Sequence, residues 1–445
     1  MDRSFRLLLA EKLADSLASP LPSGTPRHVY GRVSLPGKVT AVIGMRRAGK
    51  TTFLHQLRRE RLAQGIGRER LPYLNFEDER LTGLSAEHLL LVIDEYYRRF
   101  PALRGSETVT WCFDEIQVVP GWERFVRRLL DTEKVEVFVG GSSADLLSRE
   151  IATALRGREW EVVIHPFSFL EFLRHHGHDL PASLDFLSAP DRSRLEHALL
   201  EYLSVGGFPE VQGVDGETRL RLLRDYVDVA ILRDVVERYG VSNIAGLRWL
   251  VRHLLGNPAS RFSAERFYAA LKSQGIAIAK DTVHQLLGYL EDCFLVRPLW
   301  VEAASERKRM ANPRKAYPVD PGLIPLYDRT GRANLGHALE TVVMLELERR
   351  GARITYVRTG DDLEVDFLAR YGDGREELIQ VCADLDDPHT RDREVRALVS
   401  AASAFPEARQ ILITLAPPGR QDVPAPVAVV PAFSWLLGRA YETRS

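Results

Sequence analysis

At 445 residues, 45% hydrophobic and 27% charged, the chain has the composition of ordinary globular protein and is long enough for about three domains. Its 60 lysines and arginines against 61 acids leave a formal net charge of −1, so any nucleic-acid reading must rest on a local patch and not on whole-chain charge. Three scattered cysteines, Cys112, Cys293 and Cys382, exclude a disulfide framework and a paired-cysteine zinc site and point to a reducing compartment. With no run of about 18 apolar residues to span a membrane, the expectation is a cytoplasmic protein.

The first 19 residues mix charges among leucines in the pattern of an amphipathic helix and not of a signal peptide. Residues 20–26 are rich in proline and glycine and read as a linker. From Lys38 to about residue 165, apolar runs alternate with helical patterns: Val39–Ile43, Leu71–Phe76, Val109–Phe113 and Val135–Gly140. That alternation predicts parallel β-α-β units with helices on both faces of one sheet. Residues 166–240 are mostly helical, broken by Gly206-Gly207-Phe208-Pro209. Residues 242–300 predict three helices (245–255, one capped by Ser263, one capped by Asp281) and then an extended segment, the order of a winged helix. The last part predicts a helix over 335–350, strands near 355–357, 363–368, 378–381 and 411–415, and a helix over 390–402.

Gly44-Met45-Arg46-Arg47-Ala48-Gly49-Lys50-Thr51 follows a strand pattern and opens a helical one, the context that gives a Gly-x-x-x-x-Gly-Lys-Thr loop its meaning. Glycines at both ends let the backbone curl so that the N–H groups of residues 44–52, from Gly44 through Arg46, Arg47, Ala48 and Gly49 to Thr52, face phosphate oxygens at a helix N-terminus. Lys50 then reaches the phosphates of ATP and the Thr51 hydroxyl ligates magnesium. Hydrolysis needs more: an acid on a neighbouring strand to hold the ion and a base to activate water. Asp114 and Glu115, at the end of the Val109–Phe113 run, fit those roles. Ser142 or Ser143 positions the water from the next strand, or caps the helix that follows.

Gly141-Ser142-Ser143, Leu155-Arg156-Gly157-Arg158, His165-Pro166-Phe167-Ser168-Phe169-Leu170-Glu171-Phe172, Gly206-Gly207-Phe208-Pro209-Glu210 and Tyr317-Pro318-Val319-Asp320-Pro321-Gly322-Leu323 together resemble an orphan archaeal and bacterial AAA-plus ATPase family. The resemblance runs from about residue 25 to 435 and implies a P-loop ATPase, a winged helix and a C-terminal nuclease-like domain of unassigned function. It divides the chain into an N-terminal helix and linker (1–24), an ATPase core (25–165), a helical lid (166–240), a winged helix with a basic extension (241–332) and a nuclease-like domain (333–445). It also implies a homo-hexameric ring in which an arginine of one subunit reaches the nucleotide of the next. Arg158 is the first choice for that role and Arg156 the second, a plain surface turn being the alternative. Glu210 stands where related ATPases carry a sensing arginine, leaving Arg233 or Arg238 to replace it.

Arg307, Lys308, Arg309, Arg314 and Lys315 fall within nine residues, where a wing would lie beyond a recognition helix starting at Lys280. Such a cluster neutralises DNA phosphates or serves as a subunit contact. In the last domain Glu340, Asp366 and Gln380 resemble the metal-binding layout of PD-(D/E)xK nucleases, but Cys382 stands where the lysine belongs. A thiol supplies no positive charge for a developing phosphorane, so the domain reads as degenerate, kept for binding DNA or for assembly. The sequence expectation is therefore an ATP- and magnesium-dependent AAA-plus ring acting on DNA, plausibly branched. A signalling or defence switch working through protein partners, and an ATP-regulated nuclease, are the other readings.

Overall fold

The computed structural model describes residues 2–141, 155–181, 183–184, 186–328, 334–416 and 423–442. It divides into two compact units, Met1–His165 and Pro166–Ser445.

The first unit is built on a parallel sheet. In chain order it contains α1 (Asp2–Ala18), β1 (Val39–Ile43), α2 (Lys50–Ala63), β2 (Tyr73–Asn75), α3 (Ala86–Arg99), β3 (Val109–Asp114), α4 (Trp122–Thr132), β4 (Val135–Gly140) and β5 (Glu159–Val163). The strand order is β2-β3-β4-β1-β5. Every residue of β1 and β3 is buried, as expected for central parallel strands covered on both faces. β5 was not predicted: as Glu-Trp-Glu-Val-Val it lacks a continuous apolar run, and it needs none because it is an edge strand. Trp111, with no exposed surface, stacks on Phe113 at 5.3 Å and meets Tyr96 of α3 edge-on at 4.9 Å. An aromatic side chain buried this fully contributes up to about 3 kcal/mol. The first helix is no free appendage. Leu9 and Leu13 are buried, Lys12 pairs with Asp78 at 2.6 Å, and the buried Arg58 of α2 donates to Ser16 O at 2.7 Å and to Leu71 O at 2.9 Å.

The second unit opens with helices α5 (Phe169–His175), α6 (Ala189–Val205) and α7 (Gly216–Val229), the last running on into a wider π-helical stretch, Ala230–Glu237. Next come α8 (Ile244–Gly256), β6 (Arg261–Phe262), α9 (Ala264–Ser273), α10 (Lys280–Asp292), β7 (Val296–Leu299), α11 (Glu306–Ala311) and β8 (Arg314–Pro318). The three strands form one antiparallel sheet, β6-β8-β7. Ser263 caps α9 as expected, its side chain accepting from Arg266 N–H. Asp281 does not cap α10: Ala279 holds that position and Asp281 lies in the first turn. The basic stretch is not all ribbon, since residues 306–311 form the short helix α11.

The chain ends with α12 (Leu335–Arg349), β9 (Arg353–Arg358), β10 (Glu364–Arg370), β11 (Glu376–Val381), α13 (Pro388–Ala402), β12 (Arg409–Thr414), β13 (Ala428–Pro431) and α14 (Ala432–Glu442). Its sheet is mixed, in the order β13-β12-β11-β10-β9. A core of α12, β10, β11 and α14 side chains continues into α5 and α6.

Three of the motifs noted in the sequence meet at one joint. Asp320, 1% exposed, accepts from Gly207 N–H at 2.6 Å and from Gly322 N–H at 2.9 Å. Gly207 O in turn accepts from Phe167 N–H at 2.6 Å. A Cβ at Gly207 would come within 2.8 Å of Phe167 N and closer still to its carbonyl oxygen. Backbone cannot move aside as a flexible side chain can, so Gly207→Ala is expected to destabilise this unit by at least about 2 kcal/mol. The measurement is the chemical denaturation midpoint, and an unchanged midpoint would show the close approach to be unimportant.

Candidate functional site

The ends of β2, β3 and β4 are flush, with Asn75 opposite Asp114 and Asp114 opposite Gly140. The loop after β1 opens beside them. Gly44 has φ 138°, and a Cβ there would run into the backbone of Ile164; Gly49 has φ 100° at the start of α2. Arg47 adopts φ 65° without being glycine, a conformation that costs on the order of 1 kcal/mol. Arg46 is half-buried, Arg47 exposed and Ala48 fully buried. The loop curls over Lys50, whose Nζ donates to Gly44 O at 2.9 Å and Met45 O at 3.2 Å.

Asp114 is 1% exposed. Its Oδ2 accepts from the Thr51 hydroxyl at 2.7 Å and from the Tyr73 hydroxyl at 2.9 Å, while its Oδ1 is buried with no hydrogen-bond partner among the described residues. Gly140 makes room for that oxygen, since a Cβ there would lie 2.5 Å from it. Glu115 follows in the left-handed region, φ 53° and ψ 36°, which turns the chain out of β3. Its Oε2 accepts from Gln117 Nε2 at 2.6 Å. Burial, then the Asp114 charge and the hydrogen bond to it, push the Tyr73 pKa far up, so Tyr73 is a permanent donor.

The structure thus brings Gly44 to Thr52, Asp114 and Glu115 to one end of the sheet. Three residues there escaped the sequence reading. Tyr73 lay unremarked in an apolar run, and Gln117 follows Glu115 by two positions without any motif to mark it. Arg27, 7% exposed, sits just past the linker read over 20–26 and gave no signal. Its guanidinium donates to Ala48 O of the loop at 2.7 Å and also to His165 O, and its backbone N–H to Gln56 Oε1 of α2 at 2.6 Å.

Arg158 is elsewhere. Its carbonyl accepts from Val39 N–H, at the opposite end of β1, and its side chain pairs with Asp131. Five residues of strand separate it from the loop, about 16 Å. Arg156 is exposed with φ 53°. Ser142 and Ser143 lie outside the described residues. In the second unit, Glu210 accepts from Tyr226 OH at 2.7 Å, Arg233 is exposed and Arg238 lies over the Tyr239 ring.

The basic cluster is not the exposed patch expected. Lys315 is a correction: it is 3% exposed and its Nζ lies among Glu340, Glu364 and Asp366. Arg314 stacks on Trp300 at 3.6 Å, Arg309 pairs with Glu306 at 3.2 Å and Lys280 with Glu265 at 3.2 Å. Arg307 and Lys308 are exposed. Glu340 and Asp366 do come together. Gln380 Oε1 accepts from Asp366 N–H at 3.2 Å and its Nε2 donates to Glu394 at 2.5 Å. Cys382 stands apart, its Sγ against Asp384 O at 3.0 Å; burial and the Glu394 charge push its thiol up to about 11.

Residues 36–173 match the family profile described as an AAA domain (AAA_14), and residues 196–331 match a domain of unknown function (DUF8612). An uncharacterized protein of Methanocaldococcus jannaschii is 34% identical over 374 residues, covering 82% of this chain and 79% of its own length. The chain belongs to the AAA-plus ATPase family. An uncharacterized protein of Haemophilus influenzae is 31% identical, covering 75% of this chain and 80% of itself. Among solved structures, a Walker-type ATPase of Pyrococcus abyssi aligns with TM-score 0.38 and 17% identity, over 72% of this chain and 95% of that one. Membership of the AAA-plus family implies nucleotide binding. Among the described residues no helix is long and apolar enough to cross a membrane.

Two consequences can be measured. Arg27→Met leaves the buried Ala48 and His165 carbonyls without their charged donor, at about 1–3 kcal/mol for each group left unsatisfied; a lower thermal midpoint and weaker binding of an ATP analogue are expected together. His55 of α2, against the Tyr73 ring at 4.5 Å, is pushed down to about 4 by burial and by Arg58 and Arg59. It stays neutral in the fold while the unfolded chain takes up a proton below about 6.5, so stability falls as pH drops from 6.5 towards 4. His55→Gln should flatten that part of the stability–pH curve; an unchanged slope would rule the histidine out as its source.

Proposed function

We propose that the chain hydrolyses ATP with magnesium as its cofactor and that the three-helix module downstream engages DNA. The observation carrying the first part is the pairing of Thr51 with Asp114 beside an acceptor oxygen, Asp114 Oδ1, that is buried and unpartnered among the described residues. An orphaned carboxylate oxygen next to a threonine hydroxyl is the donor set a magnesium ion takes. Magnesium, when bound with the nucleotide, offsets the charge that develops on the transferring phosphoryl group. Thr51 and Asp114 would hold it.

The protein's own groups do the rest. Lys50 exchanges its loop carbonyls for phosphate oxygens, and the loop N–H groups fix the phosphates at the start of α2. Glu115 accepts the proton of the attacking water at its free oxygen while Gln117 holds the other, so the carboxylate keeps one orientation. General-base catalysis of this kind is worth about 10²–10⁴ in rate. Arg158, about 16 Å from its own loop by strand length, does not serve its own site; in a ring it would act on a neighbour's nucleotide only after leaving Asp131.

The DNA reading rests on the order α8-β6-α9-α10-β7-β8 with an antiparallel β6-β8-β7 sheet, the arrangement of a winged helix, and on the exposed Arg307 and Lys308 of α11 between β7 and β8. With Lys315 buried and Arg314 stacked, these two carry the electrostatic share, so binding should be salt-sensitive.

Lys50→Ala should abolish ATP binding, whereas Glu115→Gln should bind ATP and turn it over at least about 10²-fold more slowly. Near-normal turnover in Glu115→Gln would remove it as the base. Mixing Arg158→Ala with Glu115→Gln subunits should give activity that departs from the weighted mean of the two. DNA, tested as duplex and as four-way junction, should raise ATP turnover, and Arg307→Ala/Lys308→Ala should weaken that response. A turnover rate indifferent to every DNA would favour the switch reading, with protein partners at the same module.

A further inference from the structure

A group of buried charge in the second unit has no part in the ATPase reading. Lys315 lies on β8, in the three-stranded sheet, and its Nζ is 2.8 Å from Glu340 Oε1 on α12. It is also 3.0 Å from Glu364 Oε1 and 2.9 Å from Asp366 Oδ1, both on β10. An ammonium has three N–H bonds; here it donates to Glu340 and Asp366, and Glu364 adds an ion-pair contact. Part of the acids' remaining capacity is drawn on by others: Tyr317 OH donates to Glu340 Oε1 at 2.8 Å and Val381 N–H to Asp366 Oδ2 at 3.0 Å, while Arg261 lies 3.2 Å from Glu364 Oε2 as an ion pair, that oxygen accepting no hydrogen bond among the described residues.

A divalent ion shared by Glu340, Glu364 and Asp366 would have to stand where this nitrogen stands. Among the described residues, no group of three or more histidine, cysteine, aspartate or glutamate side chains is arranged to hold a metal. The carboxylates are aimed at the ammonium instead. Burial alone would lower the Lys315 pKa, but Asp366 and Glu340 raise it well above the ordinary lysine value, so it remains charged at neutral pH. Glu340 is pushed up to about 7, by burial first and by Asp366 second.

We propose that Lys315 is the resident cation of this acid pocket, occupying with its ammonium the place of a divalent metal and bolting β8 to α12 and β10. The three-stranded sheet and the C-terminal sheet are then joined through a buried charge cluster and not only through apolar packing. This assignment is independent of the ATPase reading. It also accounts for the sequence: a pocket that keeps its acids without a lysine beside Gln380 receives its positive charge from a distant strand.

The test is manganese binding to the full-length, nucleotide-free protein, read from the EPR signal of free Mn2+, in an Asp114→Asn background that removes the nucleotide-site acid. The expected result is that adding Asp366→Asn changes nothing, because Lys315 already fills the pocket. Lys315→Met should create a new stoichiometric Mn2+ site, and Lys315→Met/Asp366→Asn should lose it again. The proposal is overturned if the protein with Lys315 intact binds Mn2+ and Asp366→Asn removes that binding, or if a folded Lys315→Met gains no site. Should Lys315→Met not fold, the comparison with Lys315 intact decides alone.

Discussion

A carboxylate buried at the end of a central strand sets the terms for the first unit. Asp114 keeps 1% of its surface exposed, and desolvating a carboxylate costs several kcal/mol unless donors surround it. One oxygen recruits Thr51 from α2 and Tyr73 from β2; the other is left without a partner among the described residues. The flush strand ends, the glycine at 140 and the tyrosine on β2 all follow from making room for that acid. The incomplete satisfaction leaves an acceptor beside the loop, and it is this oxygen on which the proposed magnesium role rests.

Much of this was legible in the sequence because the physics is local. β1, β3 and β4 are predominantly apolar runs, and a glycine loop between strand and helix has few other uses. What was not legible is what long-range contact decides. Arg27 braces Ala48 from just beyond the segment read as a linker, and nothing in a single arginine announces a carbonyl that is remote in sequence. Tyr73 is indistinguishable from a core aromatic until its hydroxyl is seen on Asp114. β5 lacks the apolar run of its neighbours because only one side of an edge strand is paired.

Lys315 shows the same limit from the other direction. A run of five basic residues reads as one patch, but alternation along β8 turns neighbours to opposite faces. Arg314 lies on Trp300 while Lys315 enters the acid cluster. The reading of Cys382 in the place of a lysine was silent about where positive charge comes from, because charge balance is settled in space and not by spacing within one strand.

The joint at Asp320 bears on how the chain is partitioned. Gly207 and Gly322 both donate to its carboxylate, so residues 208–319 form a long excursion that leaves this closed point and returns to it. An excursion of that kind is an insertion and not a bead on a string: severing it would strand two backbone donors at the point of departure.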